Sequence, residues 1–371
     1  MARRFSGSVD ALRPGFAVLM VVALASPVGC GADTPTSVTD SGVDASTNDA
    51  ATTDSGGDAA SDGGGVASNC APGGAGLNTC GSGSESCCTS LLVTGGTYDR
   101  TYTNNGSGAT GQADPATVAD FRLDKYEVTV GRFRQFVSAW NHGAGWTPPA
   151  GSGKHTHLNG GLGLANSASP GTYETGWVTS ENIRIAPTST NLACAANYDT
   201  WTTTAASRET PPINCVSFWE SAAFCVWDGG FLPTEAEWEY AAAGGSEERQ
   251  YAWGTAAPGT ENQYAIYDCG YPSAGGCTGV VNIAPVGTPT SGAGRWGQLD
   301  LAGNVYEWNL DWNAPYVTPC TDCAALSVAS FRVFRGGYFS GDTSILLPPI
   351  RSYGAPTYRA SGLGFRCART P

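Results

Sequence analysis

Between Ile213 and Gly245 the chain sets two helix signals back to back. Ser217 and Glu220 have the spacing of a capping box: the hydroxyl accepts an amide at the helix start and the carboxylate reaches back to the cap. Trp219, Ala222, Ala223 and Val226 then recur at helical spacing as one apolar face, and Asp228-Gly229-Gly230 ends the run. Thr234 and Glu237 repeat the box directly after Pro233. Trp238, Ala241 and Ala242 face inward from this second helix, and Gly244 is placed for the left-handed position just past its end. Upstream, Tyr126 and Val128 alternate as a strand does, and Thr129 caps a helix carrying Phe133, Phe136 and Val137. From Asn141 to Thr210 periodicity gives way to Gly, Ser, Thr and Pro, which predicts long loops beside the binding face. Residues 31–69 hold seven Asp and no Lys, Arg or aromatic residue. Such a stretch buries too little apolar surface to offset its ordering entropy. It reads, from Cys30 on, as a disordered acidic tether over 30–69, spanning roughly 30–40 Å as a coil.

Composition sharpens this picture. With 51 Gly, 22 Pro and only 14% charged residues in 371, much of the chain is loop. A net charge of −13 argues against nucleic acid, whose phosphates call for clustered Lys and Arg, and suits metal cations or an extracellular surface. Arg3, Arg4 and Arg13 precede an apolar run from Phe16 to Ala25 that is too short to cross a bilayer, so residues 1–29 read as a signal peptide. Pro27-Val28-Gly29-Cys30 resembles a bacterial lipoprotein cleavage box. Lipidation of Cys30 is expected, giving an exported protein anchored in a membrane, in the periplasm or at the cell surface, with an unknown extracytoplasmic ligand or protein as partner. Simple cleavage or an uncleaved anchor are the alternatives.

Setting Cys30 aside, 12 of the 13 cysteines remain, an even number that fits an oxidised compartment. Cys70, Cys80, Cys87 and Cys88 define a collar over 70–90, stapled by disulfides or, less in keeping with its spacing, by zinc. Cys320-Thr-Asp-Cys323 fits a local structural disulfide in a Pro-rich loop, with a redox-active pair as the alternative. Cys269 and Cys277 are further disulfide candidates. The pairing within Cys70, Cys80, Cys87, Cys88, Cys194 and Cys215 cannot be read from spacing. His142, His155 and His157 are the only histidines. They form no HxxxH or HExxH pattern and are expected in exposed loops, with a metal shared by His155 and His157 as the alternative.

The wording Pro233-Thr234-Glu235-Ala236-Glu237-Trp238-Glu239-Tyr240 is more specific than any capped helix requires. It resembles the signature of the formylglycine-generating enzyme family, also called the sulfatase-modifying factor family. Further matches follow in order: the FRLDKYEVTVGRFRQFVSAW opening at Phe121, the Trp253-Gly254 step, Arg295 to Trp308, Arg332 to Gly337, and Gly362 to Arg369. The resemblance implies an α+β fold related to C-type lectins over 91–371, loop-rich, with two main helices and small antiparallel sheets. It further implies a disulfide between Cys225 and Cys367. It also implies a structural calcium site with ligands at Asp300, Gly303, Val305 and Glu307. Hard carboxylate oxygens beside a Gly-permitted turn suit that ion. Asn262 falls where a first calcium site of the family begins.

The family's oxidase binds copper through two thiolates, four and nine residues beyond its Gly-Gly. Here those positions are Gly341 and Leu346, and no cysteine occurs from Tyr338 to Arg366. The serine after Gly-Gly is Tyr338, and the tryptophan of the GNVWEW signature is Tyr306. Copper is therefore not expected. The iron site of the related sulfoxide synthases is missing too. The leading expectation is a pseudoenzyme: a calcium-stabilised binding or structural module whose groove is lined by Tyr306, Tyr338, Phe339, Asp342, Arg351 and Tyr353. The alternatives are another enzyme with a replaced site, or the formylglycine-generating oxidase with thiolates recruited from elsewhere, such as Cys320 and Cys323.

Overall fold

Both capping boxes form. Ser217 and Glu220 close the start of the helix Phe218–Trp227, and Thr234 and Glu237 that of the helix Glu235–Ala243, which Gly244 ends at φ 69°. These helices are α3 and α4 of a computed structural model that describes residues 69–371 apart from Ser82 and Ala206. The signal peptide, Cys30 and the tether up to residue 68 lie outside the described residues. Thr129 caps α1 (Val130–Trp140), accepting from the Arg132 amide at 3.1 Å. The strand before it is Phe121–Asp124 (β4) rather than Tyr126–Val128. Tyr126 and Val128 are buried, but Tyr126 lies in a bend, and Val128 is held by single backbone hydrogen bonds to Phe365 and Ile213 rather than in a strand.

β4 lies between β1 (Ser90–Val93) and β12 (Ala368–Arg369), antiparallel to both. A second sheet runs β10-β9-β6-β11, from Arg351–Gly354, Arg332–Arg335, Tyr306–Trp312 and Leu363–Gly364. A long hairpin of β2 (Gly96–Asn104) and β3 (Ala109–Val118) carries β7 (Cys320–Thr321) on its edge. β5 (Ala165–Asn166) pairs with β8 (Cys323–Ala324), and a short helix, α2, spans Ser189–Leu192. The sheets are small, yet not all antiparallel: β11 on β6, β7 on β3 and β5 on β8 are parallel. Such pairs join distant residues, and local alternation does not report them.

The main core packs Phe133, Phe136, Phe224 and Phe365 between α1, α3 and the second sheet, with Trp308 beneath. α3 turns differently from its sequence pattern. Phe218, Phe224 and Cys225 are the deeply buried residues along with Ala223, whereas Trp219 and Val226 are only half-buried. In α4 all nine residues are buried, its three glutamates included. The collar has no independent core. Its disulfides, Cys70–Cys88 and Cys80–Cys87, pack with Leu77 against Tyr126, Val286 and Leu299. Gly76, at φ 71°, passes so close to Glu209 that a Cβ would sit 2.0 Å from its carbonyl oxygen. Only glycine allows that approach. The remaining disulfides are Cys194–Cys215, Cys225–Cys367, Cys269–Cys277 and Cys320–Cys323.

Candidate functional site

The turn before β6 and the strand itself carry two of the expected calcium residues, Asp300 and Glu307, both buried. Glu307 is fully buried, and Arg366 grips its carboxylate through Nε at 2.6 Å and Nη2 at 2.7 Å. The indole N–H of Trp238 donates to the same carboxylate at 2.8 Å. Asp300, at φ 60°, accepts from the Gly287 amide through Oδ2 at 2.6 Å, while its buried Oδ1 has no partner. Burial pushes its pKa up to about 6, although the Gly287 amide and Arg366 pull against it. Glu127, absent from the sequence-based site, completes the group by accepting from Asn304 Nδ2 at 2.6 Å and the Val305 amide at 3.1 Å. Burial first, then the charges of Asp300 and Glu307, hold it far above the usual carboxylate range. Three carboxylates thus share one guanidinium. The set is short of positive charge, and Asp300 Oδ1 is a free hard oxygen that suits calcium. Glu307 Oε1 keeps a lone pair beyond the one Arg366 occupies. Asn262 donates to Gly270 O at 3.1 Å and braces its own loop, which Cys269–Cys277 closes.

The expected groove residues divide into separate places. Tyr306 and Tyr338 stack at 5.2 Å, Phe334 meets Tyr306 edge-on at 5.1 Å, and Phe339 follows Tyr338 at 5.9 Å, buried. Burial raises the Tyr306 pKa, so its phenol stays neutral. Arg351 turns elsewhere, to Glu235 at 2.7 Å and Ala314 O at 3.0 Å, where Arg335 links Glu235 with Glu239. Exposed Asp342 caps the turn Thr343–Leu346 through the Ser344 amide, and Tyr353 packs on Phe331 at the surface.

The two positions that matter for copper are filled. A Cβ on Gly341 would lie 2.0 Å from Ile345 Cδ1 and 3.1 Å from Tyr338 Cε1. Leu346 is buried in a different cluster, with Tyr251, Ala265 and Ala302. All twelve cysteines of the described residues are paired, Cys320 and Cys323 with each other.

His155 is the clearest departure from expectation. Instead of lying in solvent it is wholly buried, with Nδ1 3.0 Å from Glu174 and Nε2 3.5 Å from Glu237, its ring 3.6 Å from Phe231. Burial opposes its charge, but Glu237 and Glu174 outweigh that and raise its pKa to about 9. His157 is half-buried over Phe231, and its pKa is lowered by burial and the neighbouring His155. Only His142 is exposed as expected. Among the described residues, His155 and His157 do not gather with a third ligand into a group that could hold a metal ion.

A loop-rich α+β fold with two helices closed by capping boxes, and small sheets around buried ion pairs, defines the class of this protein. Residues 80–371 match the sulfatase-modifying factor enzyme 1-like domain, and the chain belongs to that family. It is 37% identical to a formylglycine-generating enzyme of Streptomyces coelicolor over 170 residues, 43% of this chain and 53% of that protein. It is 33% identical to a hercynine oxygenase of Mycobacterium tuberculosis over 165 residues, 42% of this chain and 36% of that protein. The chain spans about half the length, or less, of these curated relatives. Among solved structures, PvdO from Pseudomonas aeruginosa aligns with 76% of this chain and 94% of its own at 18% identity, with a TM-score of 0.44.

Proposed function

We propose that this chain is a non-oxidase member of its family, a binding or structural module braced by calcium and held at a membrane through Cys30. The observation that carries the reading is the filling of positions 341 and 346. Ile345 and Tyr338 occupy the space a side chain at 341 would need, and Leu346 belongs to another cluster. Copper(I) requires two soft ligands at one point. Six disulfides leave no thiol to recruit among the described residues, and they fit an oxidising compartment outside the cytoplasm. Asp300 and Glu307, with the Gly303 and Val305 carbonyls, would hold the calcium, whose charge would offset the excess of buried carboxylates.

The test is to load the purified protein with Cu(I), offer a peptide bearing Cys-x-Pro-x-Arg under oxygen, and look for the aldehyde by mass spectrometry. We expect unchanged peptide and no thiol reactive toward an alkylating reagent before reduction. Aldehyde above the copper-only control would overturn the reading.

A further inference from the structure

Segment 152–184, α3 and the end of β6 enclose a cleft of about 530 Å³, within the range of small-molecule sites. Tyr306, Tyr338, Gly341 and Leu346 do not line it. Its walls are Trp177, Phe218, Trp219, Ala222, Val226 and Trp312. The helical stripe Trp219-Ala222-Val226, which the sequence offers as a core face, is thus the wall of an opening. Tyr173, Val178 and Val328 form an apolar rim, the last 85% exposed.

Two cations line this cleft: exposed Arg184, paired with Glu181 and 5.3 Å from the Trp219 ring, and Arg332, the buried one. Arg332 of β9 is 8% exposed, its guanidinium 3.7 Å from the Trp312 ring and 4.0 Å from that of Phe218. Nη1 donates to Leu310 O, whereas Nε is buried with no acceptor. Arg132, Arg335 and Arg366, buried more completely still, each hold carboxylates; Arg332 holds none among the described residues. Two acids line the cleft and are engaged, Glu174 by His155 and Glu181 by Arg184, while Asp311, whose field also reaches Arg332, accepts from the Glu235 and Ala325 amides. The Trp219 indole N–H is likewise buried without an acceptor, and its ring lies 6.0 Å from the Arg332 guanidinium. The Arg332 guanidinium beside aromatic walls describes a receptor for an anion on an apolar body. Ring faces offset part of the cost of burying the cation, but no carboxylate among the described residues pairs with it, and a bound acid would supply one.

We propose that the cleft binds a small organic acid, its aromatic or aliphatic body between the tryptophans and its carboxylate on the Arg332 guanidinium. This is independent of whether the chain oxidises cysteine, and the test uses neither copper nor peptide. The full chain is titrated calorimetrically with 2-naphthoate and with its neutral analogue 2-naphthamide. The expected result is one naphthoate bound per chain and the amide at least tenfold weaker. Arg332→Gln should bring naphthoate down to the affinity of the amide, and Ala222→Phe, which fills the cleft from α3, should weaken both probes. If Arg332→Gln does not fold, the acid–amide contrast and Ala222→Phe still decide. Equal binding of the two probes, no binding at millimolar concentration, or naphthoate affinity unchanged in Ala222→Phe would each overturn the proposal.

Discussion

His155 offers the sharpest link between geometry and a measured curve. Its pKa is about 6.5 in an unfolded chain and about 9 when folded between Glu174 and Glu237. The folded state binds the proton more tightly. The stabilisation is therefore complete below pH 6.5, declines as pH rises, and is gone above about 9. Since each tenfold gain in proton affinity is worth about 1.4 kcal/mol, the whole effect is roughly 3 kcal/mol. Other groups bound the usable window. Glu239, raised to about 8 by burial, adds a slope of the same sign up to that pH. His157, with its lowered pKa, acts only below 6.5, and tyrosines of the unfolded chain enter near 10. The experiment is urea unfolding at intervals from pH 6.5 to 9 for the natural chain and for His155→Gln. The variant should be less stable throughout because two buried carboxylates lose their cation. The gap between the two proteins should shrink steadily as pH rises to 9. A gap constant across the window would show that His155 is not charged in the fold, and the assignment would fail.

Two further outcomes are expected. Replacing Cys225 and Cys367 together by alanine opens a link across 142 residues and should lower stability by about 5 kcal/mol on chain-entropy reasoning, read as the shift in denaturation midpoint. A loss under 1 kcal/mol would contradict that account. Chelation with EGTA should lower the thermal midpoint and added calcium should restore it, by about 2.7 kcal/mol at a hundredfold excess over Kd. An unchanged midpoint would remove calcium from the Asp300 turn.

What sequence reading recovers here follows from the range of the interactions. Both capping boxes and Gly244 are local devices, written within a few residues, and they are where expected. The β2–β3 hairpin was also available: Tyr98, Arg100 and Tyr102 alternate as buried residues between outward positions. His155 was hidden because its burial is made by Glu237 and Phe231, some eighty residues on, and a loop composition gave no periodicity to betray it. Three glutamates in the nine residues of α4 were the available signal, since a helix otherwise so apolar needs cations from elsewhere. Glu127 carried the same hint, a charge between Tyr126 and Val128. Arg332 was readable only as part of a motif, not as a cation lacking an anion. Gly341 and Leu346 mattered by what they are not, and that the sequence states directly.

Residues 366–369, late in the family domain, have a bearing on how that domain is made. Arg366 holds Glu307, Cys367 bonds Cys225, Ala368 bridges Phe231 and flanks β4, and Arg369 pairs with Asp124. Four consecutive residues thus fasten parts that were synthesised between sixty and about 245 residues earlier. Until they emerge, the central carboxylates have no guanidinium and the first sheet lacks its third strand. The domain therefore closes in one late step rather than growing from its beginning, and the partly made chain must be kept from aggregation with its aromatic core still open.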